Sequence, residues 1–398
     1  MRKRWTNRPA GSFYRSGSNL FGMMREKQII RTAHEAAVER ISVILPVLNE
    51  AGRIEGVLQS LMGQTEEVHE ILIIDGGSTD RTQALVGGYA AKDRRLKFLD
   101  ASPVEPYWTG KAWGLNFGLE RSDASCQWIL CIDADVRASP LLARSLLAYA
   151  KKTGVSTFSV ATRQRISGKI DAMIHPAMLT SLVYRFGAPG SATRNRHSIQ
   201  ANGQCFLSRR DILLRTGAFA AARASLCEDI TIARRLAECG ENVGFYEAET
   251  GLIDVAMYAD WRETWNNWPR SLPMRDQYFG WREALGLLAV FIFQALPLPL
   301  LLLGSVLGAP IWLLVFAGFL FALRIGILFG VARAYPDRPW TYWLSPLCDL
   351  PVVARIVWFA LKRRHSWRGR TYIRRKGGVF EPLAGSNHEA GQAQAKPQ

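Results

Sequence analysis

The chain has 398 residues, 48% of them apolar, room for one large domain or two ordinary ones around a substantial core. Its formal charge is +16, and the excess lies toward the ends, in MRKRWTNRPAGSFYR at the start and KRRHSWRGRTYIRRK in the last third. No nucleic-acid module accompanies these runs and they flank apolar sequence, so they point to an anionic lipid surface and not to nucleic acid.

In chain order, residues 1–40 form a basic segment. No apolar run follows its first cluster, so no secretory signal is expected and this part is expected in the cytoplasm. ISVILPVL (41–48) has the β-branched apolar run of a strand, and Ile54, Leu58 and Leu61 then recur at helical spacing. EILIID (70–75) and LKFLD (96–100) repeat the strand signal, each followed by a turn and a helix, GGSTDRTQALVGGYA and GKAWGLNFGLERS (110–122). WILCID (128–133) is a fourth strand. This alternation predicts an α/β domain with a doubly wound parallel sheet. Ligands of such sheets bind beyond the carboxyl ends of the strands, where Asn49, Glu50, Asp75, Asp133 and Asp135 fall.

Asp133-Ala134-Asp135 closes an apolar strand with two like charges, which repel unless a cation or ligand lies between them. A hard divalent cation suits such a pair, because it takes oxygen ligands and bridges phosphates. Gly76-Gly77-Ser78 suits either close approach to a nucleotide or plain turn chemistry. Neither G-x-G-x-x-G after the first strand nor G-x-x-x-x-G-K-[ST] occurs, which disfavours dinucleotide-binding dehydrogenases and P-loop ATPases. The six cysteines, at 126, 131, 205, 227, 239 and 348, suggest neither a zinc site nor a disulfide framework. Glu228-Asp229 opens a helix with the stripe Leu226, Ile230, Ala233, Ala237, leaving Arg234 and Arg235 on an expected solvated face.

From Leu285 to Leu323 there is no formal charge, enough for about two spans of roughly 20 residues each. They are expected near 284–304 and 309–330, with the turn at Ala309-Pro310. A third apolar stretch, Trp343–Leu361, carries Asp349 and Arg355, and a full crossing would put the basic run after it outside. It is expected to be interfacial or re-entrant, with Trp367, Arg368 and Arg370 back beside the active site.

ISVILPVLNE, IDGGSTDRT, TGKAWGLNFGL, CIDADV and CEDITIARRL resemble, in this order, the motifs of inverting family-2 glycosyltransferases with the GT-A fold. The resemblance covers roughly 41–270. It implies a Rossmann-like, mostly parallel catalytic domain there; from hydropathy and charge, a juxtamembrane segment (271–283), two transmembrane helices (284–332), an interfacial or re-entrant helix with a basic segment (341–375) and a flexible tail (376–398) are expected to follow. It implies transfer of a sugar from a nucleotide-sugar to a hydroxyl with Mg2+ or Mn2+. Carried across, Pro46, Asn49 and Glu50 line the nucleotide pocket, Asp75 contacts the base, and Lys111 lies near the nucleotide. Asp133 approaches ribose and pyrophosphate, Asp135 ligates the metal, and Asp229 is the general base. Glu228, Trp268 and Arg270 are candidates for acceptor or diphosphate contact.

The chain departs from the processive polymer synthases of that family, which carry Q-x-x-R-W where this one reads DWRETWNNWPRSL. Trp265, Trp268 and Arg270 take that place or form a Trp-rich interfacial segment; both readings stand. SWRGRTY (366–372) resembles the tail of lipid-acting transferases such as ceramide glucosyltransferases. The W-N-N-W-P-R-S-L run is similar to bacterial and cyanobacterial carotenoid glycosyltransferases. The expected acceptor is thus a hydroxycarotenoid or other lipid alcohol in the bilayer, with the catalytic domain on the cytoplasmic face. A polyprenyl-phosphate or polysaccharide sugar transferase is the alternative enzyme, and a catalytically silent membrane scaffold the alternative outside enzymes.

Overall fold

A computed structural model describes residues 29–367 and 370–383. The basic run before residue 29, Arg368 and the tail from 384 lie outside the described residues. The central sheet runs β1-β11-β7-β10-β5-β2-β3-β4. Its members are β1 (Ile29–Ile30), β2 (Ile41–Val47), β3 (Val68–Asp75), β4 (Leu96–Asp100), β5 (Trp128–Ile132), β7 (Thr157–Ala161), β10 (Cys205–Arg209) and β11 (Val243–Ala248), with β9 (Ser191–Thr193) pairing antiparallel on β11. The four predicted strands pair parallel in the order β5-β2-β3-β4. Three longer strands that the reading left out extend the sheet, and β10 runs antiparallel to both β5 and β7. The sheet is mixed and mostly parallel.

β2 and β5 read as continuous apolar runs because both faces of the sheet are covered. In β5, Trp128, Leu130 and Ile132 enter one core and Ile129 and Cys131 the other. On the first side, α1 (Ile54–Met62), α2 (Thr82–Ala90) and α4 (Leu142–Thr153) cover the sheet. On the second are α3 (Gly110–Arg121), α6 (Arg210–Thr216), α7 (Ala218–Ala221) and α8 (Glu228–Glu238). A small sheet, β6-β12-β8 (Val136–Ala138, Ile253–Val255, Arg163–Gln164), closes one edge. Two further helices, α5 (Asp171–Phe186) and α9 (Trp261–Ser271), face the C-terminal part.

That part begins with α10 (Trp281–Val290), a π-helical turn (Phe291–Ala295) and α11 (Pro297–Val306). The first expected span is therefore not straight: it bends by 47° at this break. Pro297 has no N–H to continue the helix, and the Gln294 amide instead donates to Ala177 O and Asp349 Oδ1. The second span is continuous through α12 (Ile311–Val331) to Ala334. The third stretch forms one helix from Trp340 to Leu361, also long and apolar enough to cross; its second part is α13 (Asp349–Leu361). Two to three helices thus have the length and composition to span a membrane.

Asp349, a carboxylate in an apolar stretch, has a buried partner that the sequence did not reveal. Arg324 of α12 donates to both its oxygens, at 2.8 and 3.0 Å, and to Ser345. Beyond α13, the strands β13 (Arg364–Trp367), β14 (Arg370–Arg374) and β15 (Phe380–Pro382) fold back onto the catalytic domain, where Phe380 N donates to Ala224 O.

Candidate active site

Parallel pairing of β3, β2 and β5 sets three strand-end loops side by side at one edge. Antiparallel β10 starts at the same edge, since Cys205 pairs with Ile132, and so brings in the loop Asn202-Gly203-Gln204. The first turns of α3 and α8 supply Lys111 and the Glu228-Asp229 pair.

At the centre Lys111 Nζ lies 2.7 Å from Asp133 Oδ1 and 2.8 Å from Glu228 Oε1. Burial disfavours its charge, but the two carboxylates more than offset this and hold the ammonium well above its usual pKa. Asp229 accepts from Gly203 N at 3.2 Å, and burial, with the Glu228 charge adding, pushes its pKa up to about 7. A side chain at Gly203 would crowd Lys111 Nζ, which explains the glycine between two amides.

Asp135 is the least satisfied of the group. Its Oδ1 is buried without a hydrogen bond, and Oδ2 has only Gln204 Nε2 at 3.5 Å. Burial, reinforced by the Asp133 charge, raises its pKa to about 7. An orphaned carboxylate oxygen beside a second carboxylate fits a hard divalent cation. Among the described residues no cluster of three or more His, Cys, Asp or Glu could hold an ion by itself. The Asp133–Asp135 pair can therefore contribute only part of a ligand set, leaving the rest to phosphate oxygens and water.

Pro46, Glu50, Lys111, Asp133, Asp135, Glu228, Asp229, Trp268 and Arg270 all line one cavity of about 1360 Å³. Asn49 and Asp75 adjoin lining residues, Leu48 and Glu50 in one case and Ile74 and Gly76 in the other. Asn49 Oδ1 accepts from Thr79 N at 2.8 Å, and Asp75 accepts from Gly77 N, Ser78 N and Ser78 Oγ. The Gly-Gly-Ser segment is thus held as a turn on Asp75, with Gly76 lining the cavity. Glu50 pairs with Arg53 at 3.0 Å.

Trp268 and Arg270 of α9 reach the cavity, and Arg270 donates to Ser366 O. Trp265 does not; its ring lies against the Arg355 guanidinium. Arg370 lines the same cavity and donates to Gly76 O at 2.9 Å, so β14 contributes to the site's rim. Arg234 overturns the expectation of a solvated face. It is fully buried, donating to Asp276 Oδ1 at 2.7 Å, because the loop after α9 folds beneath α8. Arg235 does stay near the surface, paired with Glu238. Gly203, Gln204, His175 and Tyr335 escaped the reading. A lone glycine between amides and isolated aromatic residues carry no motif.

Residues 42–217 match the family model described as Glycosyl transferase family 2. Poly-beta-1,6-N-acetyl-D-glucosamine synthase of Staphylococcus epidermidis is 31% identical over 124 residues, 30% of this chain and 28% of that enzyme. The synthase of the same description from Staphylococcus aureus strain MSSA476 is 29% identical over 148 residues, 36% of this chain and 34% of that enzyme. The chain thus matches about a third or less of the length of these curated relatives. Among solved structures, a mannosyltransferase from Pyrobaculum calidifontis in complex with GDP-Man and Mn2+ is 17% identical. The match covers 88% of this chain and 94% of that chain, with a TM-score of 0.49. Glucosyl-3-phosphoglycerate synthase from Mycobacterium tuberculosis is 18% identical over 58% of this chain and 81% of that chain, with a TM-score of 0.39.

Proposed function

We propose that this chain is a family-2 glycosyltransferase that moves a hexose from a nucleotide-sugar to the hydroxyl of a membrane-dissolved acceptor, with inversion. One observation supports the acceptor class above all others. The cavity holding Asp133, Asp135 and Asp229 continues without a break to Leu323, Gly326 and Gly330 of α12, a helix apolar enough for a bilayer. A hydroxyl carried by a lipid could reach Asp229 along this path without leaving the protein.

The acceptor oxygen attacks the anomeric carbon, the bond to the nucleoside diphosphate breaks, and the hydroxyl proton passes to Asp229. Its raised pKa suits a general base near neutrality. Lys111, braced by Asp133 and Glu228, keeps a fixed positive charge at the diphosphate end. Asp135, with Asp133, would hold Mg2+ or Mn2+, whose charge would neutralise the leaving diphosphate. Asp75 and Asn49 act one step back, holding the loops that form the nucleotide wall.

The W-N-N-W-P-R-S-L run supports a hydroxycarotenoid first and other lipid alcohols second. A polyprenyl-phosphate acceptor is the second reading, favoured by Arg333 and Arg338 on the membrane side of the cavity. The scaffold reading is disfavoured because no carboxylate of the set is missing. Membranes carrying the full chain, given radiolabelled UDP-, GDP- and dTDP-sugars, should hydrolyse or transfer one of them. Mass spectrometry of the lipid extract then names sugar and acceptor. Transfer to a soluble glycan with none to lipid would exclude the acceptor class.

A further inference from the structure

The cavity that holds the carboxylates is also lined by two helices, which form a slot. Leu179 and Leu182 of α5 form one wall, and Leu323, Gly326, Ile327 and Gly330 of α12 the other. The α12 positions fall on one helical face and span about 10.5 Å at 1.5 Å per residue. Where Cβ atoms would stand at Gly326 and Gly330 there is open space, so the slot reaches the helix backbone. Leu323 is about half exposed, so the slot is open along its side.

Tyr335, which follows α12 in the chain, and Trp268 of α9 also line the cavity. Behind them His175 is buried. Its Nδ1 lies 2.8 Å from the Tyr335 hydroxyl, and its ring stacks on Trp268 at 4.1 Å between centroids. Burial lowers the pKa of this imidazole to about 4, against the pull of Asp171, so it stays neutral. One residue of the catalytic domain thus braces two aromatic walls, one of them at the foot of α12.

The geometry points to a binding slot for the apolar chain of the acceptor along α12, with Tyr335 and Trp268, braced by His175, gripping that chain where it joins the hydroxyl. The inference rests on the transferase reading and specifies its acceptor: a methylene or isoprenoid chain ending in an alcohol. A glycan is excluded because the slot's side chains offer it no hydrogen bonds to replace those lost from water. His175 is a positioning residue and does not touch the reacting atoms.

The test uses the full chain in detergent with retinol, a fluorescent isoprenoid alcohol, and geranylgeraniol as competitor. Saturable retinol binding displaced by geranylgeraniol is expected. Gly326→Leu and Gly330→Leu should each weaken it about tenfold, the scale of blocked apolar burial, with Mn2+-dependent nucleoside-diphosphate binding retained as proof of folding. Phe329→Leu, an exposed position on another flank of α12, should change nothing. His175→Phe and Tyr335→Phe should each weaken retinol binding, and the double variant no more than either single one, because they share one hydrogen bond. Unchanged retinol binding in both glycine variants overturns the slot, and additive losses overturn the brace. Failure of the transferase reading looks different: retinol binds as expected while no nucleotide-sugar is turned over.

Discussion

Charge distribution decides the chemistry at the scale of single residues. Asp229 and Asp135 are both raised to about 7, with burial as the first cause in each, while Lys111 between their neighbours stays cationic. A base must be deprotonated, so kcat/KM should climb as pH rises through about 7 and then level off. Glu228 raises the Asp229 pKa through like charge; Glu228→Gln should therefore move the acid limb to lower pH, read from a kcat/KM profile. Asp229→Asn should cost roughly 10²–10⁴ in transfer with nucleotide binding retained. If Glu228→Gln is the inactivating change instead, the base is the other carboxylate. For Asp135, Mn2+ should bind more weakly as pH falls below neutrality, since protons compete for the same oxygen. Asp135→Asn should remove most Mn2+ binding in the presence of nucleoside diphosphate, as an EPR titration would show. Full transfer in excess chelator would rule out the metal assignment.

Between elements, the telling contacts are buried ion pairs. Arg324 of α12, Asp349 of α13 and Gln294 of the π-turn join three segments in one network. Removing one partner leaves a buried charge alone, at a cost of roughly 3–5 kcal/mol, whereas replacing both with apolar residues can be near neutral. Arg324→Met should therefore lower thermal stability in detergent sharply, and Arg324→Met with Asp349→Leu should recover much of the loss. A double variant no more stable than the worse single one would show that the pair has no such coupling. Periodicity and composition show a carboxylate in an apolar stretch but not the guanidinium, 25 positions earlier, that meets it.

For the whole molecule, the arrangement bears on topology. The Trp340–Leu361 helix begins against α5, where Tyr342 packs with Ala172, and it leads into β13, whose Ser366 accepts from Arg270 of the catalytic domain. Both ends therefore meet the domain that carries the active site. If α10–α12 form one excursion into the bilayer and back, a C-terminal reporter should lie on the cytoplasmic side with the catalytic domain. A cysteine introduced at Leu307, exposed near the α11–α12 turn, should instead be labelled from the opposite side. A C-terminus reached only from that opposite side would mean that the last helix crosses.

The sequence alone determined what depends on short range. Alternating strands and helices, the D-A-D at the end of β5, the acidic start of α8 and the apolar C-terminal segments are all periodic or local signals, and each stands where it was read. Tertiary structure alone decided which distant groups meet. It joined Asn49 to Thr79 and buried Arg234 on Asp276. It gave Asp349 a partner, and it stacked His175 on Trp268. Such pairings depend on how helices and loops far apart in the chain cross, and side-chain spacing along one element carries no information about that.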